Sequence, residues 1–197
     1  MKLISVRFFW HRILLITGLN MILGWSYAQS ILPVENNKIV FYEVNSTDSI
    51  PKELLHQNAY NWLVAQKFNS IVDSLTADGH KLTAISEYPV YATGYLTKRQ
   101  NGSVSYTIQI EVKENKYRYR LTDFVFHYYH ENRNYQVVPT GKVKPLEDAK
   151  ASGWQKTWES NKKATYVLVN NLVAGLKKAM IYNPVQEKVA KGPIKEW

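Results

Sequence analysis

Alternation of apolar and polar residues is clearest between residues 104 and 121 of this chain. Every second side chain from Val104 to Val112 is apolar, with polar side chains between. A period of two is typical of a strand with one buried face and one solvated face. A two-residue turn at Glu114-Asn115 would bring the next strand back with its apolar residues on that buried face. The predicted cross-strand pairs are Val112–Tyr117, Glu111–Arg118, Ile110–Tyr119, Gln109–Arg120 and Ile108–Leu121.

The alternation changes phase in the second of these strands, after Leu121. If the strand simply continued, Asp123 would point into the core and three aromatic residues would point outward. A β-bulge near Thr122-Asp123 would exchange the two faces and return the aromatic residues to the core. The alternative is that the outer face carries a ligand-binding surface for a glycan or a partner protein. The residues predicted for that surface are Arg118, Arg120, Phe124, Phe126 and Tyr128.

Two segments have apolar residues at helical spacing. Ser49 and Pro51 are typical of a helix start, and the apolar stripe that follows should end near Lys67. A longer amphipathic helix of roughly 25 to 28 residues is predicted from Trp154 to Ala179, and Asn183-Pro184 stops it. The first stripe comprises Leu54, Leu55, Ala59, Trp62 and Leu63.

The segments before the hairpin favour further strands. Asn37–Asn45 is apolar on both sides, which predicts a central strand. Residues 68–75 fit either a short strand or a continued helix, and Ala77-Asp78-Gly79 predicts a turn. Leu82–Lys98 predicts one or two strands, with Pro89 at an edge or at a strand start.

Turn-forming residues mark the remaining connections. Asn101-Gly102 is a strong turn signal and predicts a hairpin between Tyr95-Leu96 and Val104. Residues 130–153 are polar and contain prolines and glycines, which predicts a loop with a short strand near residues 135–138.

The N-terminus has the pattern of an export signal. Lys2, Arg7 and Arg12 precede an apolar run from Ile13 to Trp25, and small residues follow at Ser26-Tyr27-Ala28. We expect a signal peptide at residues 1–28, with an uncleaved N-terminal anchor as the alternative. We expect a single α+β domain at residues 32–182, a flexible basic tail at 183–197, and a periplasmic or cell-surface location.

The composition excludes cysteine-dependent chemistry and indicates which partners the net charge favours. The chain has no cysteine, which excludes disulfides, thiol catalysis and thiolate metal sites. Without the three N-terminal cations its net charge falls from +9 to +6, which favours anionic envelope partners such as acidic glycans, lipid headgroups or polyphosphates, or simply a soluble basic surface. Export makes nucleic acid a poor candidate, and after signal cleavage no transmembrane span is expected.

Patterns of catalytic or metal-binding residues do not emerge from the sequence. His127 and His130 are three residues apart, which places them on opposite faces of a strand, and a zinc site needs three or four convergent ligands. His56 fits a partly buried helix position and His80 a turn. Asp73, Asp78 and Glu87 are carboxylates that no spacing brings together. We therefore predict no catalytic residue, no metal site and no cofactor.

The order of elements is similar to that of a known family. The helix SIPKELLHQNAYNWL, the strands YATGYL and SYTIQIEV and the segment KENKYRYRLTDF resemble, over roughly residues 32–129, secreted bacterial domains of unknown function with a TBP-like (TATA-binding-protein-like) fold. The resemblance implies a curved antiparallel sheet with an N-terminal helix and a long C-terminal helix packed on one face. It implies no activity, cofactor or functional residue, and no DNA binding.

The favoured hypothesis is a non-catalytic cell-envelope domain that binds or scaffolds another envelope component. Two alternatives remain open, a hydrolase acting on an envelope polymer and a carrier of a small apolar ligand. An enzyme should have a cleft with ionisable groups close together and shifted pKa values. A carrier should have a closed apolar cavity.

Overall fold

A six-stranded antiparallel sheet and two helices make up most of the part of the chain described by the structure, a computed structural model. It describes residues 32–48, 50–91, 100–150 and 153–182. The strands are β1 (Val34–Glu35), β2 (Lys38–Ile39), β3 (Phe41–Ser46), β4 (Asn69–Thr76), β5 (Gly79–Tyr91), β6 (Gln100–Lys113), β7 (Lys116–Glu131) and β8 (Val137–Pro145). The helices are α1 (Lys52–Ala65) and α2 (Gln155–Met180).

Strand β7 organises the sheet. The strand order is β3-β7-β6-β5-β4, and β8 also pairs with β7, whereas β1 and β2 form a separate hairpin. Strand β6 occupies one edge of β7, so β3 and β8 share the other edge. Strand β3 pairs with residues 116–121 of β7 and β8 pairs with residues 125–131.

The predicted hairpin register is confirmed. Val112 faces Tyr117, Ile108 faces Leu121, and the polar pairs Glu111–Arg118 and Gln109–Arg120 lie opposite each other. The turn consists of residues 114 and 115, the second of which has a positive φ.

The predicted β-bulge is also confirmed. The pairing shifts between Thr107↔Thr122 and Ser105↔Val125, so β7 has one residue more than β6 across this stretch. Asp123 has a φ of 56° and is exposed, whereas Phe124 is fully buried. The extra residue exchanges the faces of the strand, and Phe124 and Phe126 therefore lie in the core.

Both helices pack on the inner face of the sheet, where the core lies. The Trp158 ring of α2 lies 5.7 Å from Phe126, edge to face, and Trp62 of α1 lies 5.7 Å from Phe68. Phe68 in turn meets Tyr106 of β6. The predicted long helix is confirmed at 26 residues, although Trp154 precedes it and is 85% exposed.

Several predicted connections are corrected or resolved. Asn101 and Gly102 lie inside β6, where Gly102 pairs with Val90 of β5, so the predicted turn is wrong. The predicted partner segment Tyr95-Leu96 is outside the described residues. Residues 69–76 form a strand rather than a continued helix. Strand β7 runs to Glu131. The short strand predicted near residues 135–138 is longer than expected, since β8 covers nine residues, Val137–Pro145.

Edge positions follow from the same pairings. The first long strand, β3, was predicted to be central but is an edge strand, and its outward Tyr42 and Val44 are about half exposed. Pro89 pairs with Ser103 of β6 on one side. Pairing of β5 with β4 on the other side reaches only as far as Ile85, so the predicted edge position of Pro89 is confirmed.

Candidate functional site

The outer face of the sheet, opposite both helices, carries a cluster of basic residues at one end. Cross-strand partners point to the same side of a sheet, so Tyr42 lies beside Arg120 and Val44 beside Arg118. Tyr42 is 52% exposed and Val44 53%. We call this region the basic surface; its residues are Tyr42, Val44, Lys113, Lys116, Arg118 and Arg120.

Two of its cations are paired. Arg118 donates two hydrogen bonds to Oε2 of Glu111, from Nε at 2.9 Å and from one terminal nitrogen at 2.5 Å. Hydrogen bonds to Glu111 and to Tyr42 raise the pKa of Arg118 above its ordinary value. Lys113 lies 2.7 Å from Asp78, and this ion pair lowers the pKa of the Asp78 carboxyl.

The other two cations are exposed and lack a carboxylate partner among the described residues. Lys116 and Arg120 flank Arg118 along β7 and take part in no ion pair of the described chain. A depression of about 200 Å³ lies at this end of the sheet. It is lined by Val44, Glu111, Lys113, Lys116, Tyr117 and Arg118.

The five residues predicted for a ligand-binding surface do not lie together. Arg118 and Arg120 are on the outer face, whereas Phe124 and Phe126 are 0% and 3% exposed in the core and Tyr128 is half-buried beside them. The prediction that Phe124 and Phe126 belong to an exposed ligand-binding surface is therefore wrong, because the bulge at Asp123 turns both side chains inward. The aromatic residue that accompanies the two arginines is Tyr42. Sequence reasoning missed it because its place beside them depends on the pairing of β3 with β7.

Ionisable groups also meet between α2 and the inner face. Lys177 lies 2.7 Å from Oε1 of Glu43, and the hydroxyl of Tyr119 donates to Oε2 at 2.6 Å. These two hydrogen bonds lower the pKa of Glu43. Burial raises the pKa of Tyr119, with the contact to Glu43 adding to it, and burial raises that of Tyr117 to about 12. Both carboxylate oxygens already have partners, so the cluster has the form of a helix-to-sheet link.

A cleft of about 790 Å³ lies between α2 and the strands β5 and β6. It is open to solvent, which differs from the closed cavity expected of an apolar-ligand carrier. Its lining combines apolar and polar side chains, including Phe68, Tyr106, Leu168, Leu172, Ser86 and Lys163.

The histidines and carboxylates considered in the sequence are mostly dispersed. His127 bonds Ser105 through Nε2 at 2.9 Å, and Glu87 bonds Ser103. An exception is His56, Asp73 and His80, whose ligand atoms lie within 4.8 Å of one another. Sequence spacing could not reveal this cluster, because its members come from α1, β4 and β5.

No helix within the described residues combines the length and hydrophobicity that a membrane crossing requires.

The comparisons with known proteins agree with the fold. The chain is similar to a TBP-like protein from Parabacteroides distasonis, with a TM-score of 0.57, 18% identity and coverage of 76% of this chain and 97% of that one. It is also similar to a DUF4468 family protein from Bacteroides ovatus, with a TM-score of 0.55, 14% identity and coverage of 80% and 94%. No curated protein matches the chain significantly. Residues 41–127 match the family model of DUF4468, a domain of unknown function with a TBP-like fold.

Proposed function

We propose that this protein is an exported, non-catalytic binding domain whose basic surface holds an acidic glycan of the bacterial envelope. The observation that carries the proposal is the exposure of Arg120 and Lys116, unpaired with any carboxylate of the described chain, beside the half-exposed ring of Tyr42. Guanidinium groups bind carboxylates and sulfates through paired hydrogen bonds, and an aromatic face packs against a sugar ring. The surface thus has one kind of group for the negative charges of an acidic sugar polymer and another for its sugar rings.

The electrostatics of the basic surface favour an anionic partner over a neutral one. Within the described part of the chain, the ion pairs of its four cations are Arg118 with Glu111 and Lys113 with Asp78. Two positive charges therefore remain for a partner. A partner with regularly spaced negative charges gains from this arrangement, and the gain falls as salt screens exposed charges.

Binding of a uronic-acid polymer and of its neutral counterpart, measured calorimetrically at low and at physiological salt, tests the proposal. The double variant Arg120→Gln/Lys116→Gln should lose most of the binding to the acidic polymer. Tyr42→Ala should weaken it further at unchanged net charge. The matched control is Arg133→Gln/Lys142→Gln, which removes two exposed positive charges from the region of the β7–β8 turn. Equal loss in both double variants would show unspecific attraction, and an absence of binding by the unaltered protein would contradict the proposal.

Export is proposed from the N-terminal sequence pattern alone. The supporting features are the three early cations, the apolar run and the small residues at Ser26 and Ala28. Mass spectrometry of the protein from fractionated cells should find a mature chain that begins at Gln29 in the envelope or medium fraction. A full-length chain in the cytoplasmic fraction would contradict export.

A further inference from the structure

We propose that His56, Asp73 and His80 form a binding site for a divalent transition metal ion, with Zn²⁺ as its best occupant. The three side chains come from three different elements. His56 lies in α1, Asp73 lies in the edge strand β4, and His80 begins the inner face of β5. The β4–β5 hairpin sets the spacing of the last two, because Asp73 pairs with Leu82, two residues along from His80.

The distances within the cluster suit convergence on one ion. Nε2 of His56 lies 2.8 Å from Oδ2 of Asp73, and Nδ1 of His80 lies 3.6 Å from Oδ1 of the same carboxylate. The three ligand atoms all fall within 4.8 Å of one another. In a tetrahedral zinc site with bonds of about 2.0–2.1 Å, ligand atoms are roughly 3.3 Å apart. Modest side-chain rotations therefore bring them to bonding positions.

Hydrogen bonding inside the protein accounts for only part of this arrangement. The contact between His56 and Asp73 gives a hydrogen-bond partner to Nε2 of the imidazole and to Oδ2 of the carboxylate. Nδ1 of His80 is buried and has no hydrogen-bond partner. Buried polar atoms without partners are rare in folded proteins, so an unpaired imidazole nitrogen turned toward a carboxylate oxygen calls for a further partner. A metal ion bound by both histidines and the carboxylate would supply it.

The stacking of the two imidazoles supports the same conclusion. The rings of His56 and His80 are stacked, with centroids 4.1 Å apart and an angle of 27° between planes. This stacking holds both rings beside the Asp73 carboxylate, and imidazole nitrogens are common ligands of zinc. One oxygen and two nitrogen ligands from protein leave a fourth position for water.

Solvent can reach the site. The side chains are 22%, 39% and 27% exposed for His56, Asp73 and His80, so an ion can enter without unfolding. Because the ligands join α1 to the edge strand of the sheet, a bound ion would clamp the helix to β4 and β5. This inference is independent of the basic surface, which lies on the opposite face.

The experiment is a titration of the untagged, chelator-treated protein with zinc chloride, followed by calorimetry and by thermal unfolding. We expect one Zn²⁺ per chain and a rise of several degrees in the unfolding midpoint at saturating zinc. Titration with Co²⁺ should give visible absorption bands of a nitrogen–oxygen site. Asp73→Asn and His80→Gln should each weaken binding at least tenfold. His130→Gln, which removes an exposed histidine elsewhere, should bind zinc as the unaltered protein does.

Circular dichroism of each variant without metal separates loss of the site from loss of the fold. Asp73 is on an exposed edge strand, so Asp73→Asn keeps the proposal testable even if His80→Gln folds poorly. Failure of the unaltered protein to bind zinc at micromolar concentrations would overturn the proposal. Binding that persists unchanged in folded Asp73→Asn would also overturn it, since the ion would then lie elsewhere.

Discussion

Gly102 lies directly against the ring of Phe126. A Cβ atom at this glycine would stand 2.4 Å from Cζ of Phe126 and 2.5 Å from the carbonyl oxygen of His127. The glycine therefore does not make a turn; it lets two neighbouring strands pack around an inward-turned aromatic ring. This contact exists because the bulge at Asp123 places Phe126 on the inner face.

Substitution of Gly102 should be costly. Gly102→Ala should destabilise the protein by about 1–3 kcal/mol, because either the ring or the β7 backbone must move. Gly153→Ala is the matched control, since nothing lies within 4 Å of its added methyl group. Urea unfolding of both variants measures the difference, and equal stabilities would show that the ring yields freely.

The bulge itself can be tested at Asp123, whose φ of 56° is left-handed. Valine disfavours this conformation strongly, whereas glycine adopts it without strain. Asp123→Val should lower the free energy of unfolding by about 2 kcal/mol, and Asp123→Gly should change it by less than about 1 kcal/mol. Both variants lose the exposed ion pair with Lys38, so Lys38→Gln measures that contribution separately. A smaller loss for valine than for glycine would contradict the bulge.

Removing either partner of a buried hydrogen bond between α2 and β5 should reduce stability by different amounts. The hydroxyl of Thr165 donates to the carbonyl of Asn161, so it must accept from Tyr88, 2.5 Å away. Burial raises the pKa of Tyr88, which keeps its hydroxyl protonated as a donor. Thr165→Val leaves that donor without a partner and should cost about 1–3 kcal/mol.

Tyr88→Phe removes the donor and should cost less, about 0.5–1.5 kcal/mol. In the double variant the penalty of Thr165→Val should partly disappear, which thermal and chemical unfolding can measure. Strictly additive effects would indicate that the two hydroxyls do not interact.

Acid should weaken the link between α2 and the edge strand β3. Lys177 and Tyr119 hold the pKa of Glu43 below its ordinary value of 4.5 in the folded protein. The folded state therefore binds protons less readily than the unfolded state, and this stabilisation is present above about pH 4.5 and is lost as the pH falls through the lower folded value. Glu43→Gln should reduce the dependence of stability on pH below this point.

The size of the effect is limited by solvent, since the Glu43 and Lys177 side chains are each 41% exposed. We expect at most about 1 kcal/mol, the range of partly exposed ion pairs. The control Glu114→Gln changes an exposed turn carboxylate that forms no ion pair in the described chain. A dependence on pH that is the same in Glu43→Gln and the unaltered protein would contradict the prediction.

The sequence predicted those features that depend on neighbouring residues. The register of the β6–β7 hairpin and the bulge at Asp123 followed from a period of two and its interruption. The helices followed from their apolar stripes. Each of these patterns is local, and burial of one face is enough to specify it.

The errors arose where a residue's role depends on a distant partner. The turn signal at Asn101-Gly102 was overridden by the need for space beside Phe126. Strand β3 appeared central because Tyr42 and Val44 are apolar, yet they lie on the uncovered face of an edge strand. The cluster of His56, Asp73 and His80 depends on the packing of α1 over the β4–β5 hairpin, which no spacing in the chain indicates.

The division of β7 between two partners on one edge has a consequence for local unfolding. Strand β3 is bonded to residues 116–121 and β8 to residues 125–131, with the bulge between them. Amide hydrogen exchange should therefore divide within a single strand, because β8 can detach without breaking any hydrogen bond of β3. Strand β7 would thus belong to two cooperative unfolding units. The boundary between them would be the bulge at Asp123, which also exchanges the two faces of the strand.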